Sequence, residues 1–256
     1  MYKKRFVITI GDARVGKSTI SRLMLELYHK NSKSPKVYYH GNRNKLSMYE
    51  SNDFKIPLLG FSRGESDILL MHLENNKAVD LVFTDMPGQN LPQFKYFEKD
   101  VSLIKNLNLL GYRVTFLHPI SHRKDCVKEY LEDLCDTYGI SVDYVIVKNQ
   151  YFGDEFTYYD DQPIQEAVKN LNGVELHLKP LYDSYYQKLD DTGLTYGEAI
   201  SVNSPLYVLE RSLIFHWVES FHSEVLCNEQ AFKYLGLEKS EEIADSSEQS
   251  KRRVKW

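Results

Sequence analysis

A glycine-rich segment near the start of the chain, GDARVGKST over residues 11–19, most constrains the fold. It matches the pattern G-x-x-x-x-G-K-[ST] at every fixed position. An apolar strand-like run, RFVITI, precedes it, and an amphipathic helical pattern, STISRLMLELYHK, follows from its last two residues. A strand, a tight loop and a helix in this order predict a βαβ unit whose loop lies at the carboxyl end of the first strand.

The residue types in this segment predict a loop that binds the phosphates of a nucleotide. Gly11 and Gly16 let the backbone wrap closely enough for its N–H groups to converge on phosphate oxygens. The positive end of the following helix dipole points at the same oxygens, Lys17 reaches the β- and γ-phosphates, and the Ser18 hydroxyl ligates Mg²⁺. The residues expected to bind the nucleotide here are Gly11, Asp12, Ala13, Arg14, Val15, Gly16, Lys17, Ser18 and Thr19. A glycine turn beside a solvated lysine is the alternative, which the flanking strand and helix disfavour.

A second acidic position, Asp85, ends the apolar run LVFTD and is followed by the turn MPG. A carboxylate at the carboxyl end of a neighbouring parallel strand can hold Mg²⁺ through water, and the Gly88 N–H can face the γ-phosphate. We therefore expect Ser18 and Asp85 to bind the metal, Lys17 and Asp85 to serve catalysis, and residues 86–89 to sense the γ-phosphate. The alternative is an aspartate that only initiates a turn.

A third polar position, Asn149, ends the run YVIVKN. An amide can both donate to and accept from adenine, so Asn149 is a candidate base-binding residue. Guanine recognition would need the order Asn-Lys-x-Asp, which KNQY does not supply. The sequence therefore favours ATP over GTP, with a plain turn-forming asparagine as the alternative.

Strand-like runs alternate with helical patterns over most of the chain, which predicts an α/β fold of three layers, α/β/α, around a mostly parallel central sheet. The predicted strands are 4–10, 36–40, 81–85, 113–118, 144–148 and 174–178. The predicted helices are 16–29, 65–77, 94–110, 122–138, 163–171, 205–226 and 229–235, with an irregular segment after residue 178. Ser204 is expected to cap the helix that begins at Pro205. We predict one domain over residues 1–237 and a charged, disordered tail over residues 238–256.

Composition limits the partners and the compartment. The net charge of −4, from 32 basic and 36 acidic residues, excludes a surface that is basic all over. The three cysteines lack metal-ligand spacing and are expected to be buried free thiols. No transmembrane run or secretory signal is recognisable, which points to a cytoplasmic protein. The last six residues, KRRVKW, could contact DNA phosphates weakly, although a solubilising end is the favoured interpretation.

The three motifs together resemble the ParA/MinD-type ATPases, which are SIMIBI-class P-loop proteins. GDARVGKST, the strand-end DMPG and the strand-end asparagine of VIVKNQ follow the order found in that class, and the resemblance covers roughly residues 3–225. Within that class the chain resembles the plasmid stability, partition and conjugative mobilisation ATPases. The resemblance implies Mg²⁺-dependent ATP hydrolysis, a nucleotide-dependent switch, a homodimer, and a protein partner or cargo.

One position departs from that class. Its members usually carry a lysine directly after the first glycine of the loop, which reaches the phosphates of a partner subunit, and this chain has Asp12 there. We therefore consider Arg14 as a cationic finger that acts in cis or in trans. Glu50, Asp53 and Gln89 are candidates for positioning the attacking water. A small-molecule or nucleotide kinase and a GTPase switch on the same fold are the alternative functions.

Overall fold

Six parallel strands form one sheet. The computed structural model describes residues 4–40, 45–51, 54–60, 66–86, 88 and 91–238. The strands are β1 (Lys4–Thr9), β2 (Lys36–Tyr39), β3 (Leu81–Asp85), β4 (Tyr112–Ile120), β5 (Asp143–Asn149) and β6 (Val174–Leu178). Their order across the sheet is β2-β3-β1-β4-β5-β6. This confirms the predicted α/β fold and all six predicted strands, and the arrangement is consistent with a Rossmann-like or P-loop fold.

Helices cover both faces of the sheet. They are α1 (Lys17–Lys30), α2 (Ser66–Asn75), α3 (Leu91–Val101), α4 (Leu103–Leu109), α5 (Glu132–Tyr138), α6 (Pro163–Asn170), α7 (Asp183–Thr192), α8 (Tyr196–Ile200), α9 (Val208–Leu226) and α10 (Glu229–Tyr234). A π-helical stretch, Cys126–Leu131, leads into α5. Short 3₁₀ turns lie at Ser47–Tyr49, Gly139–Ser141 and Gln150–Phe152.

The direction in which the chain crosses the sheet decides which face each helix covers. From β1 to β2 the chain moves towards one edge, and after β2 every crossover moves towards the other edge. Because parallel crossovers are right-handed, α1 lies on one face and α2 to α6 lie on the opposite face. The two hydrophobic clusters agree: α1 packs with α7 to α10 in one, and α3 to α6 pack together in the other.

Three predicted helices differ from those observed. The helix predicted over 94–110 is two helices, α3 and α4, because Ser102 between them has a left-handed backbone with φ of 49°. The helix predicted over 122–138 is regular only in α5 and begins as the π-helical stretch. The helix predicted from Pro205 begins at Val208, because the Ser204 hydroxyl closes a turn on the N–H of Leu206 at 3.2 Å.

The segment after residue 178, predicted as irregular, contains α7 and α8. A reciprocal capping box holds α8: Thr195 accepts from the N–H of Glu198, and Glu198 accepts from the N–H of Thr195. The sequence pattern T-x-x-E of a capping box could have predicted the start of this helix. Cys227 is exposed, which corrects its predicted burial, because it lies at the carboxyl end of α9; Cys126 and Cys135 are buried as predicted.

The amino ends of the central strands are joined by a buried ion pair network. The Asp143 carboxylate at the start of β5 accepts from Arg5 of β1 at 2.5 Å and from Arg113 of β4 at 2.8 Å and 3.0 Å. Both carboxylate oxygens are therefore bonded to guanidinium groups.

Two predictions concern the carboxyl-terminal tail and the absence of a transmembrane segment. Of the predicted tail only Glu238 is described, so the basic tip over residues 251–256 lies outside the described residues. None of the helices in the described part of the chain combines the length and apolarity that crossing a membrane requires.

Candidate functional site

The glycine-rich loop lies where the sheet reverses its winding. It joins the carboxyl end of β1 to α1, and β1 has β3 on one side and β4 on the other. The helix after β1 covers one face, whereas the helices after β3 and β4 cover the opposite face. In parallel α/β sheets a crevice for ligands opens at the carboxyl ends of the strands at such a point. The fold therefore places residues 11–16 at the position where a ligand is expected.

Gly16 and Asn149 fix the backbone where α1 begins. Gly16 has φ of 95°, a left-handed conformation that favours glycine. A Cβ at Gly16 would overlap with the side-chain amide of Asn149. Asn149 is buried at the end of β5, where its Nδ2 donates to the carbonyl of Val15 at 3.0 Å and its Oδ1 accepts from the N–H of Tyr151 at 3.1 Å. The structure therefore brings Asn149 to the loop backbone, and its contact with a base stays a prediction.

Lys17 is folded back over the loop as the first residue of α1. Its Nζ donates to the carbonyl of Gly11 at 2.9 Å and to the carbonyl of Asp12, and only 6% of the residue is exposed. Burial lowers the pKa of Lys17 to about 8, although the carboxylates of Asp85 and Asp12 act in the opposite direction. A buried ammonium held above loop carbonyls is a ready donor to an anion that enters the loop.

Asp85 lies beside the loop at the end of β3. The register pairs it with Thr9, the last residue of β1, and 1% of Asp85 is exposed. Burial raises the pKa of Asp85 to about 6, opposed by the charge of Lys17 and by the hydroxyls of Ser21 and Ser18. Within the described residues, neither carboxylate oxygen has a hydrogen-bond partner of normal geometry. A buried carboxylate without such partners is destabilising unless a cation completes it.

Ser21 is a further candidate site residue, which the sequence pattern did not single out. It is fully buried one helical turn after Ser18, its hydroxyl donates to Thr9 at 3.2 Å, and it helps to lower the pKa of Asp85. Ser18 and Ser21 are three residues apart on α1, which places both on one helix face. This spacing could have indicated from the sequence that Ser21 lies near Asp85 as Ser18 does.

Asp12 makes two contacts that the sequence analysis did not anticipate. Its Oδ1 accepts from the N–H of Ala13 at 2.6 Å, and its Oδ2 pairs with Nη2 of Arg123 at 2.8 Å. The same Nη2 also donates to the carbonyl of Ala13. Arg123 comes from the segment after β4, 111 residues further along the chain. The charge at Asp12 is therefore paired across the loop.

The other predicted residues fall into two groups. Thr19 is hydrogen-bonded through its hydroxyl to the Tyr186 hydroxyl of α7, whereas Arg14 is exposed in a left-handed backbone with φ of 61°. The Glu50 carboxylate accepts from the N–H of Ile56 at 2.9 Å and thereby closes a local turn. The two other candidates for positioning water, Asp53 and Gln89, lie outside the described residues.

Gly88 approaches the loop from the segment after β3. A Cβ at Gly88 would lie 2.5 Å from the Cα of Ala13 and 2.8 Å from its Cβ. Such distances are shorter than real carbon contacts, so only a glycine lets the two segments come this close. This places Gly88 against the loop, as its assignment to the site requires.

Substituting Gly88 with alanine is expected to weaken ligand binding at the loop at least tenfold, because the new methyl group must push the loop and the segment after β3 apart. Titration calorimetry with nucleotide measures the affinity, and urea unfolding measures stability. Gly197→Ala is the matched control, since its Cβ would meet only the flexible carboxylate of Glu26. Unchanged affinity in Gly88→Ala would contradict the close approach.

Comparison with known proteins adds no assignment to this geometry. No protein-family model matches the chain, and none of the curated proteins is similar enough in sequence to count as a relative. The chemistry of the site itself must therefore carry the functional argument.

Proposed function

We propose that this protein binds ATP together with Mg²⁺, hydrolyses it, and uses the nucleotide state to switch conformation. The observation that carries the proposal is the buried Asp85 carboxylate, which has no hydrogen-bond partner of normal geometry in the described part of the chain. It lies beside Lys17 and Ser18, at the carboxyl end of β3, and β3 is the neighbour of the strand that leads into the glycine-rich loop. This combination supports phosphate and metal binding more directly than it supports any structural role.

The donor set fits Mg²⁺. Ser18 and Asp85 offer a hydroxyl and a carboxylate, the hard oxygen ligands that Mg²⁺ takes in proteins, and these two residues would hold the ion. Mg²⁺, when bound, supplies neutralisation of the charge on the phosphate oxygens. A neighbouring cation also offsets the cost of burying the ionised form of Asp85.

The chain contributes positioning and charge. Lys17 exchanges its contacts with the carbonyls of Gly11 and Asp12 for phosphate oxygens, and the loop N–H groups orient the same phosphate chain. Asn149 holds the loop in shape through the carbonyl of Val15. Phosphoryl transfer needs little more than this from a protein, because alignment and charge stabilisation supply most of the catalysis.

The surroundings of Asn149 support a purine base. Tyr151 and Phe152 lie two and three residues after it, with ring centroids 4.7 Å apart and exposures of 37% and 50%. Exposed aromatic rings offer stacking surface, and an amide offers both donor and acceptor. Adenine is the proposed base because the guanine-specific order Asn-Lys-x-Asp is missing after the strand.

The cellular role is proposed from the resemblance to ParA/MinD-type ATPases. The resemblance implies a cytoplasmic protein that acts in plasmid maintenance, partition or conjugative mobilisation. It also implies a homodimer that acts on a protein partner or cargo. A weak DNA contact through the basic tip over residues 251–256 belongs to the same proposal.

Thermal unfolding with ATP, ADP, GTP and small phosphate acceptors, each with and without Mg²⁺, tests the proposed function. We expect Mg²⁺-ATP to stabilise the protein most, by about 2.7 kcal/mol at a concentration one hundred times its Kd. Phosphate release without any acceptor should accompany it. Stabilisation by GTP alone would indicate a GTPase, and ATP consumption that needs an acceptor would indicate a kinase. If no triphosphate stabilises the protein, the proposal is wrong.

A further inference from the structure

Arg123 lies in a segment whose backbone is held in place by buried side chains. The segment follows β4, the neighbour of β1, and Ser121 and Cys126 on either side of Arg123 are buried. The Cys126 thiol donates to the carbonyl of Arg123 at 3.0 Å, and the His118 ring contacts the carbonyl of Cys126 at 3.3 Å. The backbone of Arg123 is thus fixed, whereas 34% of its side chain is exposed and its guanidinium reaches the loop.

The guanidinium and a loop amide together hold one carboxylate. Asp12 accepts from the N–H of Ala13 at 2.6 Å and from Arg123 at 2.8 Å. A backbone N–H next to a guanidinium is the donor pair that suits a phosphate oxygen, since both donors bind negative oxygens strongly. The Asp12 carboxylate therefore satisfies donors that would otherwise face an anionic ligand.

The neighbouring residues indicate which phosphate these donors would meet. Ala13 is the loop residue against which Gly88 packs, with the Cβ position of Gly88 2.5 Å from its Cα. Gly88 belongs to the segment after Asp85, the carboxylate assigned to the metal. A terminal phosphate that lies next to the metal would therefore lie next to Ala13 and Arg123.

We propose that Arg123 binds the terminal phosphate of the nucleoside triphosphate, and that the Asp12 carboxylate occupies its place until the nucleotide arrives. This inference rests on the proposed function, because it assumes a triphosphate in the loop. On binding, a γ-phosphate oxygen replaces the Asp12 carboxylate on the guanidinium. Arg123, rather than the exposed Arg14, then supplies the cation at this end of the loop.

The competing explanation is that Arg123 only holds the loop together. A residue that shapes the loop supports a diphosphate and a triphosphate alike, whereas a ligand of the terminal phosphate supports the triphosphate alone. Comparison of ADP with a triphosphate that cannot be hydrolysed therefore separates the two roles without a measurement of turnover.

Titration calorimetry of the full chain with Mg²⁺-ADP and with the β,γ-imido analogue of ATP tests the proposal. Arg123→Ala should weaken binding of the analogue by about tenfold to one hundredfold, the value of a charge-assisted hydrogen bond, and binding of ADP by less than about threefold. Arg123→Lys should recover part of the loss, because it keeps the charge without the planar donors. Lys124→Ala, an exposed neighbour in the same segment, is the matched control and should leave both affinities unchanged.

Three results would overturn the proposal while the proposed function stands: equal losses for both nucleotides in Arg123→Ala, no loss for either, or a selective loss for the analogue in Arg14→Ala alone. Thermal unfolding of each variant shows whether it is folded, and Arg123→Lys covers the case in which Arg123→Ala is not. A wild-type chain that binds neither nucleotide would instead refute the proposed function and this inference with it.

Discussion

Replacing Lys17 with alanine is expected to abolish nucleotide binding and hydrolysis. The Lys17 ammonium is buried above the carbonyls of Gly11 and Asp12, and it is the cation that the loop itself presents to an entering phosphate. Its loss leaves the loop N–H groups without the neighbouring positive charge that binding the phosphates requires. We expect the affinity for ATP to fall beyond the range of titration calorimetry and phosphate release to fall to background.

The matched control is Lys30→Ala, at the far end of the same helix. Lys30 pairs with Glu219 at 2.6 Å on the surface, so its removal takes away the same charge from α1 without touching the loop. Both variants should unfold cooperatively in urea. Normal ATP hydrolysis by Lys17→Ala would refute the assignment of the site.

Replacing Asp85 with asparagine is expected to abolish hydrolysis, to spare nucleotide binding, and to stabilise the nucleotide-free protein at neutral pH. Burial raises the pKa of Asp85 from 3.8 to about 6, so the folded protein binds this proton more tightly than the unfolded chain does. The ionised carboxylate therefore costs stability above pH 6, by about 3 kcal/mol, and the cost disappears as the pH falls towards 4. This cost is what remains after the attraction between Asp85 and the charge of Lys17 has been counted.

Urea unfolding of wild type and Asp85→Asn at pH 4 and pH 7 measures this effect. The variant should be the more stable protein at pH 7, and the difference should shrink at pH 4, where Asp85 is protonated. Turnover should fall at least one hundredfold while the Kd for ATP changes only a few-fold. Asp80→Asn, an exposed carboxylate just before the same strand, is the control. Equal stabilities at pH 7, or full turnover, would contradict the role of Asp85.

Local patterns predicted most of the fold. The apolar runs of β3 and β5 are buried along their whole length, which is why their strands could be identified from composition alone. The errors lie where backbone conformation overrides the pattern. The left-handed Ser102 divides one helical pattern into α3 and α4, and the turn at Ser204 delays α9 by three residues.

The site was predictable only as far as it is local. The glycine-rich loop and the strand-end Asp85 could be found from spacing, because each depends on adjacent residues. The pairing of Asp12 with Arg123 could not, since it joins residues 111 positions apart through the order of the strands. In the sequence, Asp12 stands where the ParA/MinD-type ATPases usually carry a lysine, which indicated that the loop lacks a cation at this position. In the structure Arg123, from the segment after β4, brings a cation there.

The ion pair network at the amino ends of the strands has a consequence for how substitutions act. Asp143 has both carboxylate oxygens bonded to arginines, whereas Asp85 at the opposite end of the same sheet has no hydrogen-bond partner of normal geometry within the described residues. Removing one partner of the Asp143 network would leave a buried charge without its partner, which is strongly destabilising. Substitutions at Arg5, Arg113 or Asp143 should therefore reduce the abundance of folded protein in the cell and leave the folded molecules fully competent.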